Sequence, residues 1–395
     1  MSKLTSSVSI LSEIIADGFS LPWLAERCPE LLTLKNVPQN PDYHAEGDVF
    51  RHTEMVCDAL CRTHPWEELA KEEQALMFLA AAFHDIGKPS CTRLEEGNWI
   101  SPRHTILGEK IFRQMVYREG ERFGLTFAQR ELAAKLIRYH GLPVWFWTKQ
   151  RPEAELFKAA ESIPLKLLYL LSKADVLGRM ERIPGQLAEQ VELFGEYARE
   201  LGLWEHPYHF ANPYTRFQFF QKENLCQDAL LYDDTSFDVI VMSGLPLSGK
   251  DTWIAQNINA SASPMDVISL DSLREKMGIS PAKDSGPVVR AATELARESL
   301  RRKRPFIWNA TNLLYETRQK LVRLFADYGA RVHIMYLEVP YRELLRRNQI
   351  RSRHIPETVL ENMIRKLEIP APWEAYKVTV PSCVVSPPKM PYDEK

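Results

Sequence analysis

The sequence has few cysteines, and none of them are paired at a spacing that would hold a metal. Its 395 residues include six cysteines and no CxxC pair. Cys57 and Cys61 could share a helix face, but nothing nearby completes a zinc site. This cysteine usage is typical of a reduced protein, so we expect a cytoplasmic location.

Long hydrophobic runs are also lacking. No apolar stretch approaches the roughly 20 residues that a membrane span needs. The apolar stretch near the amino terminus contains Glu13 and Asp17, which does not fit a signal peptide. We therefore expect no membrane partner.

A strong net charge is lacking as well. The formal net charge is −2, so composition alone gives no argument for binding nucleic acid. The charge is uneven, however, because residues 290–366 hold 17 Lys or Arg against 8 Asp or Glu, a local excess of 17 − 8 = +9. Such a segment suits a polyanionic partner or a triphosphate, or equally a set of solvated helix faces.

The pattern of the chain changes near its middle. Up to about Leu203 the apolar periodicity is helical, and from Phe237 short apolar runs alternate with helical stretches. The second pattern predicts a parallel sheet. We expect an all-α domain over 1–205, an interdomain segment over 206–236, an α/β domain over 237–375 and a tail over 376–395.

The interdomain segment is rich in aromatic residues, which argues against a flexible linker. We expect these side chains to pack between the domains, with base stacking by one or two as the alternative. They are Tyr208, Phe210, Tyr214, Phe217, Phe219 and Phe220.

A glycine-rich turn lies between an apolar strand and a helix in "FDVIVMSGLPLSGKDTW". Backbone amides at Gly244 and Gly249 can surround phosphates, and Lys250 can reach the β- and γ-phosphates of ATP. The helix that begins there directs its positive end at the anion. The predicted ATP and Mg²⁺ contacts are Gly244, Ser248, Gly249, Lys250, Asp251 and Thr252.

The turn departs from the usual phosphate loop at one position. Asp251 stands where a Ser or Thr hydroxyl normally binds Mg²⁺, and Thr252 comes one residue late. A carboxylate also suits Mg²⁺, directly or through water, and Thr252 could serve if the turn is shifted. We therefore expect a functional loop with an altered metal contact.

Further candidates follow the later strands. Asp271 could deprotonate an attacking hydroxyl, and Arg274 could clamp an acceptor phosphate; alternatively, Asp271 only caps a helix. Arg347 and Arg351 are four residues apart, and on one helix face they could neutralise transferring phosphates. The alternative for both is a solvated basic helix.

Together these segments resemble the kinase domain of phage-type polynucleotide 5′-kinases. The resemblance rests on "GLPLSGKDTW", "LDSLR", "WNATNLLYETR" and "ELLRRNQIRSRHIP", and it covers roughly residues 237–373. It implies that Lys250 contacts ATP, Asp271 is the general base, Arg274 grips the acceptor, and Arg347 and Arg351 belong to a lid. Asn312 is retained, whereas Ala310 stands at the family's acidic position.

In the amino-terminal half, "LAAAFHDIGK" is an apolar helix that ends in a His-Asp pair. Adjacent residues meet on one ion only if the helix ends there, which Gly87 would allow. His52 and Asp175 could complete a site for His84 and Asp85. Two nitrogens and two oxygens suit Mn, Fe, Co, Ni or Zn, and such an ion would activate water.

Other residues of this half could act on the substrate. Lys88 could hold a phosphate, and His104 and His140 could be ligands of a second metal or donors to the substrate. The remaining histidines, including His44, are expected to be ordinary.

The ordered set of His52, His84-Asp85, His104, His140 and Asp175 resembles the HD phosphohydrolase superfamily. The stretches "YHAEGDVFRHT", "HDIGKPSCTR" and "RHTILGEKIF" look most like the HD domain of bacterial tRNA CCA-adding enzymes, which removes phosphates from RNA 3′ ends. The resemblance covers roughly residues 21–203. It implies metal ligands at His52, His84, Asp85 and Asp175, and catalytic roles for His104 and His140.

An HD domain followed by a polynucleotide kinase resembles the bacterial HD-Pnk end-healing enzymes. That resemblance implies a 2′,3′-phosphatase joined to an ATP-dependent 5′-hydroxyl kinase, acting on RNA or DNA ends. No KxDG ligase motif is visible, so we expect a separate ligase as partner. The alternatives are a small-molecule kinase fused to a nucleotide phosphohydrolase, and a non-catalytic RNA sensor.

Overall fold

The computed structural model describes residues 9–180, 186–257, 265–280, 285–351 and 354–380. The chain divides into two compact units, Met1–Tyr208 and His209–Lys395. Each unit has its own architecture, helical in the first and mixed α/β in the second.

The first unit is mostly helical and carries one short antiparallel hairpin, β1 (Arg93–Glu95) and β2 (Asn98–Ile100). Its α-helices in the described residues are α1 (Ile10–Asp17), α2 (Leu21–Arg27), α3 (Val49–Cys61), α4 (His64–Glu67), α5 (Lys71–Phe83), α6 (His104–Arg118), α7 (Gly120–Phe123), α8 (Phe127–Tyr139), α9 (Leu142–Trp145), α10 (Pro152–Ala160), α11 (Leu165–Leu177) and α12 (Gln186–Glu200). Short 3₁₀ turns lie at Pro29–Leu34, Lys88–Ser90 and Phe146–Thr148.

Two of these helices form the centre of the unit because they are apolar on nearly every side. In α5 every residue from Gln74 to Phe83 is buried, and in α11 most residues from Leu165 to Val176 are buried. A helix that is hydrophobic all round belongs in a core rather than on a surface. The polar residues at the carboxyl ends of α5 and α11 are therefore fixed inside the unit.

The second unit contains a parallel sheet with strands β3 (Phe237–Ser243), β4 (Asp266–Ser269), β5 (Phe306–Asn309), β6 (Ala330–Tyr336) and β7 (Lys377–Thr379). Its α-helices in the described residues are α13 (Pro213–Gln221), α14 (Lys250–Asn257), α15 (Leu270–Lys276), α16 (Gly286–Arg301), α17 (Tyr315–Ala326), α18 (Tyr341–Ile350) and α19 (Glu357–Lys366). A 3₁₀ turn lies at Pro372–Glu374.

The strand order is β4-β5-β3-β6-β7, and every described pairing in this sheet is parallel. β3 therefore lies in the middle, and the glycine-rich turn follows its carboxyl end. One buried cluster packs Val239, Trp308 and Phe325 together, and another packs Met242, Ile307 and Met335. Ligands of such sheets bind beyond the carboxyl ends of the strands, which is where the candidate residues of this half lie.

The aromatic segment that precedes β3 belongs to the second unit from His209 onward and packs within it. Phe217 belongs to the sheet core, and the ring of Phe220 lies 6.3 Å from that of Trp373. Arg216 donates to the carbonyl oxygens of Pro372, Ala375 and Tyr376. Tyr208 instead packs against Phe157 of the first unit.

The predicted fold class, a helical domain followed by an α/β domain with a parallel sheet, is confirmed. The sequence placed a tail at 376–395, but Lys377–Thr379 pairs with β6 as the edge strand β7. Residues 381–395 of that tail lie outside the described residues. Within the described part of the chain, no helix is long and apolar enough to cross a membrane.

Candidate active sites

Four side chains from three helical segments of the first unit converge on one point. The Nε2 atom of His52 lies 3.0 Å from Oδ1 of Asp175, and Nε2 of His84 lies 3.2 Å from Oδ2 of Asp85. Cross distances are also short, 3.9 Å from His52 to Asp85 and 4.0 Å from His84 to Asp175. All four residues are at most 1% exposed. The structure thus brings together the four predicted metal ligands.

The hydrogen bonds of the second ring nitrogens fix how the imidazoles face this point. Nδ1 of His84 lies 2.7 Å from the Ala81 carbonyl, that of His104 lies 2.8 Å from the Ser101 carbonyl, and that of His140 lies 2.9 Å from the Ile137 carbonyl. A carbonyl only accepts, so each Nδ1 carries the proton. In the neutral rings Nε2 then carries a free lone pair, as it does in metal-binding histidines.

The Nε2 lone pairs face carboxylate oxygens, which are also acceptors. Within the described ranges, Nε2 of His84 and Oδ1 of Asp85 are buried and have no hydrogen-bond partner. Unpartnered acceptors at a buried site are costly, and a cation placed between them would satisfy both. The donor set of imidazole and carboxylate fits a divalent transition metal. His52, His84 and Asp85 form a group that could hold one, and Asp175 lies beside it against His52.

The electrostatics of the cluster favour ionised carboxylates beside the histidines. Burial alone would raise the pKa of Asp85, but the ammonium group of Lys88 holds it well below its usual range. Burial likewise opposes ionisation of Asp175, and Arg179 with His52 outweighs it, so its pKa is also well below the usual range. The site therefore presents two carboxylates in the form that binds cations.

Asp85 also faces a second group of histidines. Its Oδ1 lies 3.5 Å from Nε2 of His104 and 3.9 Å from Nε2 of His140, and these three residues form another potential metal group. Burial lowers the pKa of His140 to about 3 and also lowers that of His104. In these neutral rings the Nδ1–H group is already bonded to a backbone carbonyl, so Nε2 can only accept. This favours His104 and His140 as metal ligands rather than as proton donors to a substrate.

Lys88 reaches this group from the residues that follow α5. Its Nζ lies 2.7 Å from Oδ2 of Asp85 and donates to Oε1 of Gln39, also at 2.7 Å. The ammonium group therefore neutralises part of the carboxylate charge. Binding a substrate phosphate would require Lys88 to exchange one of these two partners.

Three residues that the sequence did not single out support the predicted ligands. Glu46 accepts from Nδ1 of His52 at 2.9 Å and from the Met180 amide at 2.9 Å, and it also lies 2.8 Å from Nδ1 of His44. Arg179 holds Asp175 through two hydrogen bonds, of 3.1 and 2.5 Å. His44 was expected to be ordinary, but its ring packs 4.6 Å from that of His52.

Gly87 matters for a different reason from the one predicted. The helix α5 ends at Phe83, before the His-Asp pair, and Gly87 has φ −80°, which any residue adopts. A Cβ atom at Gly87 would lie 2.1 Å from the His104 carbonyl oxygen and 2.7 Å from the Gly108 amide nitrogen. The glycine is needed because α6, which begins with His104, packs directly on this turn.

In the second unit, the turn after β3 has the backbone of a phosphate loop. Gly244 and Gly249 have φ of +137° and +97°, and Leu247 has φ of +66°. A Cβ at Gly244 would lie 2.3 Å from the carbonyl oxygen of Leu337, so only glycine fits there. The amide of Gly244 donates to the Thr311 carbonyl, which ties the loop to the segment after β5.

The side chains of the loop are arranged around Lys250, the first residue of α14. Its Nζ donates to the carbonyls of Gly244 at 3.1 Å and Leu245 at 2.7 Å. Burial lowers its pKa to about 8, against the opposing effect of the Asp251 and Asp271 carboxylates. Ser248 is 3% exposed, and in the part of the chain that the structure describes its hydroxyl has no hydrogen-bond partner.

Asp251 and Thr252 occupy the first turn of α14. Oδ1 of Asp251 accepts from Nδ2 of Asn309, the last residue of β5, at 2.7 Å, and Asn309 is 8% exposed. The carboxylate at the altered loop position is therefore held by an amide from the neighbouring strand. The sequence did not point to Asn309, which immediately precedes Ala310.

Asp271 and Arg274 lie on α15, which begins one residue after β4 ends at Ser269. The helix is capped by Ser269, which accepts from the Ser272 amide, so the structure does not use Asp271 as the cap. Nη2 of Arg274 donates to Ser285 at 3.0 Å, whereas its Nη1 is buried and has no hydrogen-bond partner among the described residues.

The two predicted lid arginines differ in position. Arg347 lies on α18, where its Nη1 donates to the Leu247 carbonyl of the loop at 3.0 Å and its Nε to Glu343 at 2.7 Å. Helix α18 ends at Ile350, and Arg351 has extended backbone, with ψ 135°. The structure therefore corrects the expectation of one shared helix face. Arg347 contacts the loop, and Arg351 lies beyond the helix.

Two family models match the chain, one in each unit. The HD domain matches residues 49–180, and the AAA domain matches residues 239–370. Between them these ranges include the cluster around Asp85 and the loop at Lys250. The chain thus combines an HD domain with a kinase-like P-loop domain, and both domain types indicate an enzyme.

Curated relatives match separate parts of the chain. L-seryl-tRNA(Sec) kinase of Methanococcus maripaludis is 27% identical over 36% of this chain and 58% of the relative. Multifunctional CCA protein of Dechloromonas aromatica is 31% identical over 40% of this chain and 32% of the relative. That of Methylococcus capsulatus is 38% identical over 29% of this chain and 24% of the relative. The chain spans less than two thirds of each of these relatives.

Proposed function

We propose that this protein heals broken nucleic-acid ends, removing 2′,3′-cyclic, 2′- or 3′-phosphate in its first unit and phosphorylating 5′-hydroxyl groups in its second. The observation that carries the proposal is the presence in one chain of an imidazole–carboxylate cluster around Asp85 and a phosphate loop at Lys250. One site suits removal of phosphate, and the other suits its addition. The names of the relatives refer to a tRNA kinase and to CCA proteins, which supports an RNA substrate.

In the kinase reaction the 5′-hydroxyl oxygen attacks the γ-phosphorus of ATP, and the bond to the β–γ bridging oxygen breaks. Asp271 accepts the hydroxyl proton, and ADP leaves. Lys250 turns from the loop carbonyls to the phosphates, and Arg347, already bonded to the loop, neutralises charge that develops on the transferred group. Arg274, whose Nη1 has no hydrogen-bond partner among the residues that the structure describes, binds the acceptor phosphate.

Asp251 and Asn309 form the metal end of this site in our proposal. ATP binds with Mg²⁺, which prefers oxygen ligands. Because Asn309 holds Oδ1 of Asp251, the second carboxylate oxygen remains to contact the ion or its water shell. Ser248 and Thr252 supply further hydroxyl groups near the phosphates.

In the hydrolase reaction, water attacks phosphorus, the bond from phosphorus to one ribose oxygen breaks, and that oxygen takes a proton. A cyclic phosphate thereby becomes a 2′- or 3′-monoester, and a second hydrolysis of the same kind releases inorganic phosphate. A bound Mn, Ni, Co, Fe or Zn ion would lower the pKa of water and polarise the phosphoryl oxygen. His52, His84, Asp85 and Asp175 would hold the ion. Lys88 binds the phosphate, and His104 and His140 lie where a second ion or the reacting water would bind.

The two reactions can be separated by two substitutions in the full chain. Lys250→Ala should abolish transfer of labelled phosphate from ATP to a 5′-hydroxyl oligonucleotide and leave phosphate removal unchanged. Asp85→Ala should abolish phosphate removal from an RNA that ends in a 2′,3′-cyclic phosphate and leave labelling unchanged. Metal analysis of the purified protein accompanies the assay.

Loss of both activities in either variant would contradict the proposal of two independent sites. Label that appears on nucleosides but not on oligonucleotides would favour a small-molecule kinase instead. The products require a ligase to join them, and we propose that a separate protein supplies that step.

A further inference from the structure

A cavity of about 520 Å³ opens beside the Asp85 cluster of the first unit. Asp85, Lys88, His104 and His140 lie on its wall, so it is continuous with the candidate hydrolase site. The volume lies within the range of about 300–1,000 Å³ that is usual for small-ligand sites. The cavity is therefore large enough for a nucleotide next to the reacting phosphate.

Aromatic side chains at the cavity wall are unusually exposed. Tyr43 is 41% exposed, Trp99 37% and Trp145 42%. Tyr43 and Trp145 pack edge to face with their ring centroids 6.3 Å apart. Trp99 comes from a separate element, the hairpin strand β2. Large flat apolar surfaces kept in water beside a catalytic cluster are suited to stacking on unpaired bases.

The charge of the cavity wall fits a polyanion. Five basic side chains line it, against the carboxylates of Asp85 and Glu155. The basic residues are Lys88, Arg103, Arg138, Lys149 and Arg179. Arg103 has left-handed backbone, with φ +60°, directly before His104, and such strain in a non-glycine residue is concentrated at functional positions. Arg103 and Lys149 are exposed and can meet phosphates further along a strand.

We propose that this cavity binds the single-stranded 3′ end of an RNA, with Trp99 and Trp145 stacking on its terminal bases and Arg103 and Lys149 contacting its backbone phosphates. The inference rests on the proposed function, and it adds that the RNA end is single-stranded and which residues recognise it. Stacking tolerates any base, because every base has a π-face. The site accordingly selects an unpaired end rather than a sequence.

The test uses the full chain and a short RNA that ends in a 2′,3′-cyclic phosphate. Trp99→Ala and Trp145→Ala should each raise KM for phosphate removal by about 5- to 100-fold, the range of stacking on one base, with kcat within about twofold. Trp145→Phe should restore most of the affinity. The matched control is Trp147→Ala, because Trp147 is 47% exposed on the same segment but does not line the cavity.

A second RNA, identical except for an abasic ribose at its 3′ terminus, separates stacking from a general effect on the fold. On this RNA, one of the two tryptophan variants should have the same KM as wild type, because the base on which its tryptophan would stack is absent. Direct binding of the 3′-hydroxyl form of the RNA, followed by fluorescence anisotropy, repeats the comparison without turnover. Lys149→Ala should reduce the slope of log affinity against log salt by about 0.7, the value for one phosphate contact on a single strand.

The experiment distinguishes a wrong inference about stacking from a wrong proposed function, because each predicts a different outcome. If wild type removes the phosphate and both cavity tryptophan variants behave like Trp147→Ala, stacking is refuted and the proposed function stands. If wild type leaves the phosphate in place yet binds RNA in a manner that depends on Trp99 or Trp145, the proposed function is refuted and the subsite stands. Absence of RNA binding by the wild type refutes both.

Discussion

At the scale of single residues, Glu46 shows how a side chain outside the predicted ligand set can control the cluster. It accepts the Nδ1 proton of His52 and an amide from the segment that follows Asp175. Such partners orient a ligand and raise its basicity. We expect Glu46→Gln to weaken binding of Co²⁺ or Mn²⁺ by about 10- to 100-fold, measured by calorimetric titration or the visible spectrum of the Co²⁺ form.

The control for this substitution is Glu68→Gln. Glu68 is in the same unit, its side chain is exposed, and its one ion pair among the described residues is with His64. Equal metal affinity in the two variants would show that Glu46 does not position His52.

In the second unit the corresponding residue is Asn309, at the end of β5, which holds Asp251 beside the phosphate loop. Its amide donates to the Asp251 carboxylate, and hydrogen bonds to charged groups contribute about 1.5–3 kcal/mol. Asn309→Ala should therefore lower kinase kcat/KM by about 10- to 100-fold and raise the Mg²⁺ concentration for half-maximal rate. Asn257→Ala, which removes an exposed amide from the same helix as Asp251, should have no effect. An unchanged Mg²⁺ requirement in Asn309→Ala would assign Asp251 no part in metal binding.

The sequence could point to residues inside local motifs but not to their distant partners. His84, Asp85 and Lys250 belong to short runs with a recognisable spacing, and the structure places them at the two sites. Glu46 links His52 to the Met180 amide, which lies 134 positions from Glu46 in the sequence. Asn309 contacts Asp251, which lies 58 positions away. No spacing within one element reports such a pair, because it exists only after the chain has folded.

At the scale of elements, predictions from residue spacing were correct within a helix and wrong where the helix had already ended. Four-residue spacing predicts a shared face for Arg347 and Arg351 only while the helix continues, and α18 ends at Ile350. The same limit applies to Gly87, whose importance comes from the packing of another helix rather than from its own φ. Apolar periodicity predicted the helices and strands well because burial is a property of whole elements.

Gly87→Ala tests the contact between the turn after α5 and the start of α6. The added Cβ would meet the His104 carbonyl and the Gly108 amide, so α6 must move. We expect a loss of about 1–3 kcal/mol in the free energy of unfolding of the first unit, measured by denaturant titration, with reduced phosphate removal. Gly120→Ala is the control, because a Cβ there meets nothing within 4 Å. Equal stability of the two variants would show that the contact relaxes without cost.

At the scale of the whole molecule, the chain contains two compact units with separate buried clusters. One cluster contains Val239, Trp308 and Phe325, and another contains Val144, Tyr169 and Val191. The change from helical periodicity to alternating strands and helices was sufficient to predict this division. The hairpin of Trp99 was not predicted, because its strands are three residues long and carry no buried face.

Because the candidate sites lie in different units, each ligand should stabilise its own unit. We expect thermal unfolding of the full chain to show two transitions. Mn²⁺ should raise the midpoint temperature of one transition, and this shift should be absent in Asp85→Ala. ATP with Mg²⁺ should raise the midpoint temperature of the other transition, and that shift should be absent in Lys250→Ala. At a ligand concentration of about 100 times Kd the stabilisation is about 2.7 kcal/mol, a shift of several degrees for a unit of this size. Calorimetry on the three proteins with and without each ligand measures the shifts. The contrary result is a single transition whose midpoint temperature rises with either ligand, and each substitution abolishes both shifts. That result would mean that the two sites belong to one cooperative structure.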